Sequence, residues 1–271
     1  LVGSEMCIRD SHVANKQGLP KDLLWDFAVP AIIFSVLGAR IYYVVFSWDY
    51  YKSHLNELLN IRQGGIAIYG AVIGGFLTLL VFCKIRKQNF FLISDIAVLG
   101  LLVGQIMGRW GNFTNREVFG HYTDSLFAMR LPIEAVRSAD ITSDIAAHIT
   151  DGINYIQVHP TFLYESVLNL LLLIVLLLYT KHKKFNGEIA LGYLGGYGII
   201  RFFVEGIRTD QLKIGSTGIA VSQLLGMVLF IAAILTDVIV RIYRRKKGLQ
   251  ELPQKAAVVQ NKVENDEKQD E

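Results

Sequence analysis

Six runs of apolar residues, each close to the thickness of a lipid bilayer, restrict this chain to one kind of fold. They cover Leu24 to Phe46, Gly65 to Cys83, Phe90 to Met107, Thr161 to Tyr179, Glu188 to Val204 and Gly218 to Val240. About 20 apolar residues in a helix span a hydrocarbon core, where a helix satisfies its own backbone hydrogen bonds. The expected fold is therefore an all-α, polytopic membrane bundle with six transmembrane helices. Composition agrees: 52% of the 271 residues are hydrophobic, and the mean hydropathy is +0.37. The net charge of +3 comes mostly from Lys and Arg beside the apolar runs. That placement is a topology signal and argues against nucleic-acid binding. Two cysteines, Cys7 and Cys83, are too few for a disulfide framework or a metal site.

Basic clusters orient the bundle. Lys84–Lys87, Lys181–Lys184 and Arg241–Lys247 fall on one side if the six runs alternate, and the positive-inside rule makes that side cytoplasmic. Three segments then face outward: Ser47–Gly64, Gly108–Pro160 and Glu205–Thr217. Residues 1–11 have no periodicity and no signal-peptide layout. They look like an in-frame translation of a sequencing adapter and are set aside as non-native. Residues 12–247 are read as a single transmembrane catalytic domain, and 248–271 as a charged, disordered cytoplasmic tail. No internal repeat supports a transporter architecture.

The polar residues are concentrated where the third run ends. Gly108-Arg109-Trp110-Gly111-Asn112-Phe113-Thr114-Asn115-Arg116-Glu117-Val118-Phe119-Gly120 packs two Arg, two Asn, one Glu and three Gly into one segment. Unpaired polar groups at membrane depth are costly, so such density marks a site. The fifth run brings Tyr197, Arg201, Glu205 and Arg208 to the same side at steps of four, four and three, which places them on one helical face. Arg201 and Glu205 alone could be a structural ion pair. Beside Arg109, Asn112 and Asn115 at the same depth, they favour a phosphate or carboxylate site, since guanidinium forks match such anions.

Two further segments face outward with these. Gly64-Gly65-Ile66-Ala67-Ile68-Tyr69-Gly70-Ala71-Val72-Ile73-Gly74-Gly75 opens the second run. Its glycines suit either helix packing or close backbone approach to a ligand beside the Tyr69 phenol. His159-Pro160-Thr161-Phe162-Leu163-Tyr164-Glu165-Ser166 opens the fourth. There His159 is either an interfacial turn residue or a base, and Glu165 orients another polar group. Arg40, near the end of the first run, reads either as a cation snorkelling to the interface or as a catalytic group. Apolar walls with cations and amides at one end suit a ligand with an anionic head and acyl chains.

The Gly108–Gly120 stretch resembles the signature of bacterial prolipoprotein diacylglyceryl transferases. The Gly64–Gly75 segment, the His159–Glu165 segment and the Arg201/Glu205/Arg208 face resemble further blocks of that family in the same order. The resemblance implies a seven-helix inner-membrane enzyme with its active site facing outward, so that one more helix would precede the first run. It also implies the substrates: phosphatidylglycerol gives its diacylglyceryl group to the lipobox cysteine of a prolipoprotein signal peptide, forming a thioether and releasing glycerol phosphate. By the same resemblance Arg109 and Arg201 hold the phosphate, while Asn112, Asn115 and Gly120 shape its cradle. Glu117, Glu205, Arg208 and Asp95 fix the arginines, and Tyr197 and His159 complete the substrate-binding set. No metal or organic cofactor is implied.

One position departs from the family pattern. Some members carry His where this chain has Tyr69, a residue placed with Arg109 and Arg201 in the catalytic set. A phenol of ordinary pKa near 10 is a poor base at neutral pH. Tyr69 is therefore expected to orient substrate while an arginine-held phosphate oxygen or another group takes the thiol proton. Two other functions remain open: another phospholipid head-group transferase, and a non-enzymatic anion or lipid pathway. Clustered Asp for a metal-dependent transferase is absent, as Asp22, Asp26 and Asp95 lie apart. A pore would need arginine rings but not Asn112, Asn115 and Glu117 together.

Overall fold

The computed structural model describes residues 23–61, 64–150, 152–214 and 218–249. The expectations for 1–11 and for most of the charged tail lie outside the described residues. Six long helices dominate the described residues: α1 (Leu23–Phe46), α2 (Ile68–Ile85), α3 (Phe90–Asn115), α4 (Thr161–Tyr179), α5 (Glu188–Ile207) and α6 (Val221–Lys246). All of them but α5 are long and apolar enough to cross a bilayer. Their outer surfaces carry large exposed apolar side chains such as Ile33, Phe34, Val72, Leu171 and Ile239. Water would penalise that surface and lipid would not. The chain is a polytopic, mostly helical membrane protein.

Helix α5 corresponds to the fifth run but lacks the uninterrupted apolar stretch of the others, because Glu188, Arg201, Glu205 and two Tyr divide it. It packs against both α4 and α6, and its two glutamates are buried. Gly198 and Gly226 make the α5–α6 approach close: a Cβ on either would stand 2.5 Å from the other's carbonyl oxygen. Small residues allow such backbone contact in membrane helices, where packing drives association.

The fold comprises two compact units, one of residues up to Ala97 and one from Val98 to Gln254. In the first, α1 packs on α2 through Gly38 and Gly70, and a Cβ on Gly38 would lie 2.5 Å from the Gly70 carbonyl. Helix packing thus accounts for Gly70. Leu23, Leu79, Phe82, Cys83 and Ile93 form a core, and Arg86 pairs with Asp26. Arg40 does not snorkel. It is 5% exposed and donates to the carbonyls of Glu57 (2.6 Å), Leu58 (2.8 Å), Gly64 (3.2 Å) and Gly65 (2.7 Å). Its guanidinium lies over the Tyr51 ring at 5.1 Å. The cation finds its partners in a turn folded back over it, so it has no need to reach water. Gly64 and Gly65 hold φ of +89° and +73° in that turn, a region that favours glycine.

In the second unit, the segment between α3 and α4 carries a small sheet of its own. Met129–Pro132 (β1) pairs antiparallel with Tyr155–Val158 (β2), Met129 opposite Val158. Leu131, Ile156 and Val158 alternate inward, and with Phe119, Val136 and Ile145 they form a small separate core. The signature is also not a helix stop. Helix α3 continues through Arg109 and Asn112 to Asn115, since hydrogen-bonding side chains do not end a helix when they find partners. It ends at Arg116, whose φ is +54°, and Val118 follows at +60°. For a β-branched residue that conformation costs about 1–3 kcal/mol. Thr161 Oγ1, donating to the Val118 carbonyl, helps to hold it.

Candidate active site

The second unit has two chemically distinct helix ends. At one, Arg241 of α6 pairs with Glu188 of α5 and donates to Tyr179 of α4. The basic clusters after α4 and α6 lie there. The candidate site lies at the other end, where α3 and α5 finish and α4 begins.

Its hub is Glu165, a residue that the sequence singled out only as an orienting group. Its side chain is 2% exposed, and Oε2 lies 3.4 Å from Arg109 Nη1 and 3.3 Å from Arg201 Nη1. Tyr197 OH donates to Oε1 at 3.4 Å. Arg201 Nη2 continues to Glu205 at 2.5 Å, and Arg208 Nη1 lies 3.7 Å from that carboxylate. Arg208 also grips Asp210 with two bonds of 2.9 and 2.7 Å. Burial pushes the Asp210 carboxyl up, but the Arg208 bonds and charge outweigh it and hold the group below its ordinary range. The face read from the steps of four, four and three is thus assembled around carboxylates. Three arginines (109, 201, 208) meet three carboxylates (165, 205, 210), so the cluster is formally neutral. Arg109 Nε is nevertheless buried without a protein partner.

Asn112 and Asn115 serve another carboxylate: each Nδ2 donates to Glu117 Oε1 at 3.2 Å. Arg137, unmarked in the sequence, approaches Glu117 at 4.0 Å and bonds Asp140 at 2.8 Å. Trp110 Nε1 donates to Ser166 Oγ at 3.2 Å, which joins α3 to α4 beside the hub. Gly120 threads between the start of α4 and the end of α5. Its N–H donates to the His159 carbonyl at 3.0 Å, and the next N–H, of His121, donates to the Ile207 carbonyl at 3.0 Å. A Cβ on Gly120 would stand 2.8 Å from His159 Cβ and 2.9 Å from the Ile207 carbonyl. Only glycine fits.

The His159 ring nitrogen Nδ1 lies 3.2 Å from Tyr164 OH. Burial, with the charge of His121 adding to it, lowers the His159 pKa and favours the neutral ring. Tyr69 and Asp95 belong to the first unit. Tyr69 is the second residue of α2, 44% exposed, with its ring 6.3 Å from that of Tyr42. Asp95 is buried near the start of α3. Among the described residues no group of three or more His, Cys, Asp or Glu could hold a metal.

Membrane-spanning helices that bury paired arginines and carboxylates at one end define a polytopic membrane protein with an ionic cluster in its interior. A family model described as prolipoprotein diacylglyceryl transferase matches residues 5–239. This chain belongs to that family and is a transferase. It is 43% identical over 234 residues to a phosphatidylglycerol–prolipoprotein diacylglyceryl transferase of Listeria monocytogenes, covering 86% of this chain and 79% of the relative. A Limosilactobacillus reuteri protein of the same description is 43% identical over 242 residues, covering 86% and 80%. One from Finegoldia magna is 38% identical over 227, covering 83% and 82%.

Proposed function

We propose that this chain moves the diacylglyceryl group of phosphatidylglycerol onto the lipobox cysteine of a prolipoprotein signal peptide. The observation that carries this reading is the convergence of Arg109 and Arg201, from separate helices, on one carboxylate oxygen at 3.4 and 3.3 Å. Two guanidinium groups that close together can clamp a phosphate. The thiol sulfur attacks the glycerol carbon that bears the phosphate. A C–S bond forms, the C–O bond breaks, and its electron pair leaves on the phosphate oxygen as glycerol phosphate. The thiol proton passes to an arginine-held phosphate oxygen. Arg109 and Arg201 offset the charge that grows there, and Glu165, Glu205 and Arg208 position them. Asn112, Asn115 and Glu117 line the head-group side with Gly120, Tyr197 and His159. The chain sits in a bacterial plasma membrane with this end outward, an orientation supported by the basic residues at the Arg241 end.

The test is direct. The purified protein is placed in phosphatidylglycerol liposomes with a synthetic lipobox peptide, and the peptide mass is followed. Gain of one diacylglyceryl group on cysteine is expected. An unchanged peptide, or an equal gain with a Cys→Ser peptide, refutes the proposal.

A further inference from the structure

Below the ionic cluster the same three helices carry a second polar layer. Gln105 precedes Arg109 by four residues, Asn169 follows Glu165 by four, and Tyr193 precedes Tyr197 by four. Each therefore lies on the same helix face as its neighbour, one turn (roughly 6 Å) farther from the site end. Gln105 Nε2 donates to Tyr193 OH at 2.9 Å, which joins α3 to α5. The Tyr193 ring stacks on Tyr197 with centroids 5.6 Å apart and planes 9° from parallel, which joins the two layers. Asn169 is fully buried.

The two layers differ in charge and in saturation. The upper layer is ionic, while amides and a phenol make the lower one neutral. Among the described residues, four buried side-chain polar atoms have no protein partner: Gln105 Oε1, Asn169 Oδ1, Asn169 Nδ2 and Arg109 Nε. Three belong to the lower layer and the fourth to the arginine directly above it. Unsatisfied amides in a membrane interior are costly and rare, and Leu would fill these positions without that cost. On α3 the layer is flanked by exposed glycines: a Cβ added to Gly104, Gly108 or Gly111 would meet no neighbouring element within 4 Å.

We infer that Asn169, whose Nδ2 is the unused donor of the layer, forms with Tyr193 and its partner Gln105 a subsite for the ester carbonyls of the lipid substrate. The inference rests on the proposed function and adds a second point of recognition to it. A phospholipid with its phosphate at the arginines and its chains toward the bilayer centre has one set of polar groups on the chain side of that phosphate, the two esters. They lie between phosphate and chains, and they are neutral acceptors. A neutral layer with an unused amide donor, one turn below the phosphate clamp, matches them in order and in charge. The subsite favours ester-linked over ether-linked lipid because an ether has no carbonyl to accept the bond.

Ester-linked and ether-linked phosphatidylglycerol, matched in head group and chain length, separate this idea from general packing. Their binding to the purified full chain in detergent is measured by isothermal titration. The wild type should bind the ester lipid roughly fivefold to tenfold more tightly, about one net hydrogen bond. Asn169→Leu should bring the ratio close to one while leaving ether-lipid binding as in the wild type. Gln105→Leu, on another helix, should reduce the ratio as well. Equal binding of both lipids by the wild type overturns the subsite, as does a ratio retained in both variants. Thioether formation is scored separately in the same preparations. An ester preference lost on Asn169→Leu, with no transfer in the wild type, would support the subsite and refute the transferase reading.

Discussion

Glu165→Gln is the sharpest perturbation of the site, because it keeps the side chain's shape and removes only its charge. Oε2 faces Arg109 at 3.4 Å and Arg201 at 3.3 Å. The two arginines are not equally exposed to the loss. Arg201 retains Glu205 at 2.5 Å, whereas Glu165 is, among the described residues, the one carboxylate within 4.0 Å of Arg109. Misplacement should therefore fall mainly on Arg109. A charge-assisted hydrogen bond contributes about 1.5–3 kcal/mol, and each 1.4 kcal/mol is about tenfold in rate, so kcat/KM should fall roughly 10- to 150-fold. Stability should fall less than the roughly 3–5 kcal/mol typical of a broken buried pair. The amide still offers a dipole, and the Arg109 and Arg201 side chains are 25% and 17% exposed. A loss of about 1–3 kcal/mol is expected. Initial rates of transfer to a lipobox peptide, read by mass spectrometry, give the first quantity, and unfolding in detergent gives the second. A double-mutant cycle with Arg109→Lys should show coupling of at least about 1 kcal/mol, and the cycle with Arg201→Lys a smaller value. A Glu165→Gln rate within about twofold of wild type, or strict additivity with Arg109→Lys, would refute the reasoning.

Arg109→Ala should abolish transfer, and Arg109→Lys should restore only part of it because an ammonium has no planar fork; full rates in the Ala variant would remove Arg109 from the mechanism. Gly198→Ala should destabilise the second unit by about 1–3 kcal/mol, since its Cβ would meet the Gly226 carbonyl at 2.5 Å; an unchanged thermal midpoint would contradict the close α5–α6 approach. Asp210→Asn tests the pH dependence. A carboxyl held below its ordinary value stabilises the fold fully above its unfolded pKa, and that contribution is lost as pH falls through the folded value. The gap in thermal midpoint between wild type and Asp210→Asn should therefore be constant above about pH 5 and shrink as pH falls below the ordinary Asp value of about 3.9. A gap that widens on acidification would reverse the sign.

The helices were legible because bilayer thickness fixes their length, and the polar face of α5 because 3.6-residue periodicity survives in any environment. Glu165 was harder to weigh. One acid in an apolar helix has no local sign of its partners, which come from residues 109 and 201. A signal was present all the same: Thr161, Glu165 and Asn169 step by four along α4 and form a buried polar stripe. The β1–β2 hairpin gave little local sign, since its four-residue strands are separated by a long connection and pair through tertiary contact. Arg40 looked like an interfacial cation because its partners are backbone carbonyls, which no side-chain pattern announces. The end of α3 was misplaced for a related reason. Polar side chains suggest a stop only when they lack partners, and those of Arg109, Asn112 and Asn115 are bonded or paired within the protein.

The modest hydropathy of α5 bears on how the chain is made. Arg and Glu at the centre of a lone helix each oppose entry into lipid by about 2.5–3.5 kcal/mol on insertion scales, less toward the helix ends. Arg201 and Glu205 would thus burden an isolated α5. Synthesis proceeds from the N-terminus, so α4 with Glu165 leaves the ribosome before α5 does. The ion pair between Glu165 and Arg201 becomes available as α5 emerges, and α6, strongly apolar, follows at once. Insertion of this helix should accordingly be a joint event with its neighbours, in which Glu165 would act before the finished cluster exists.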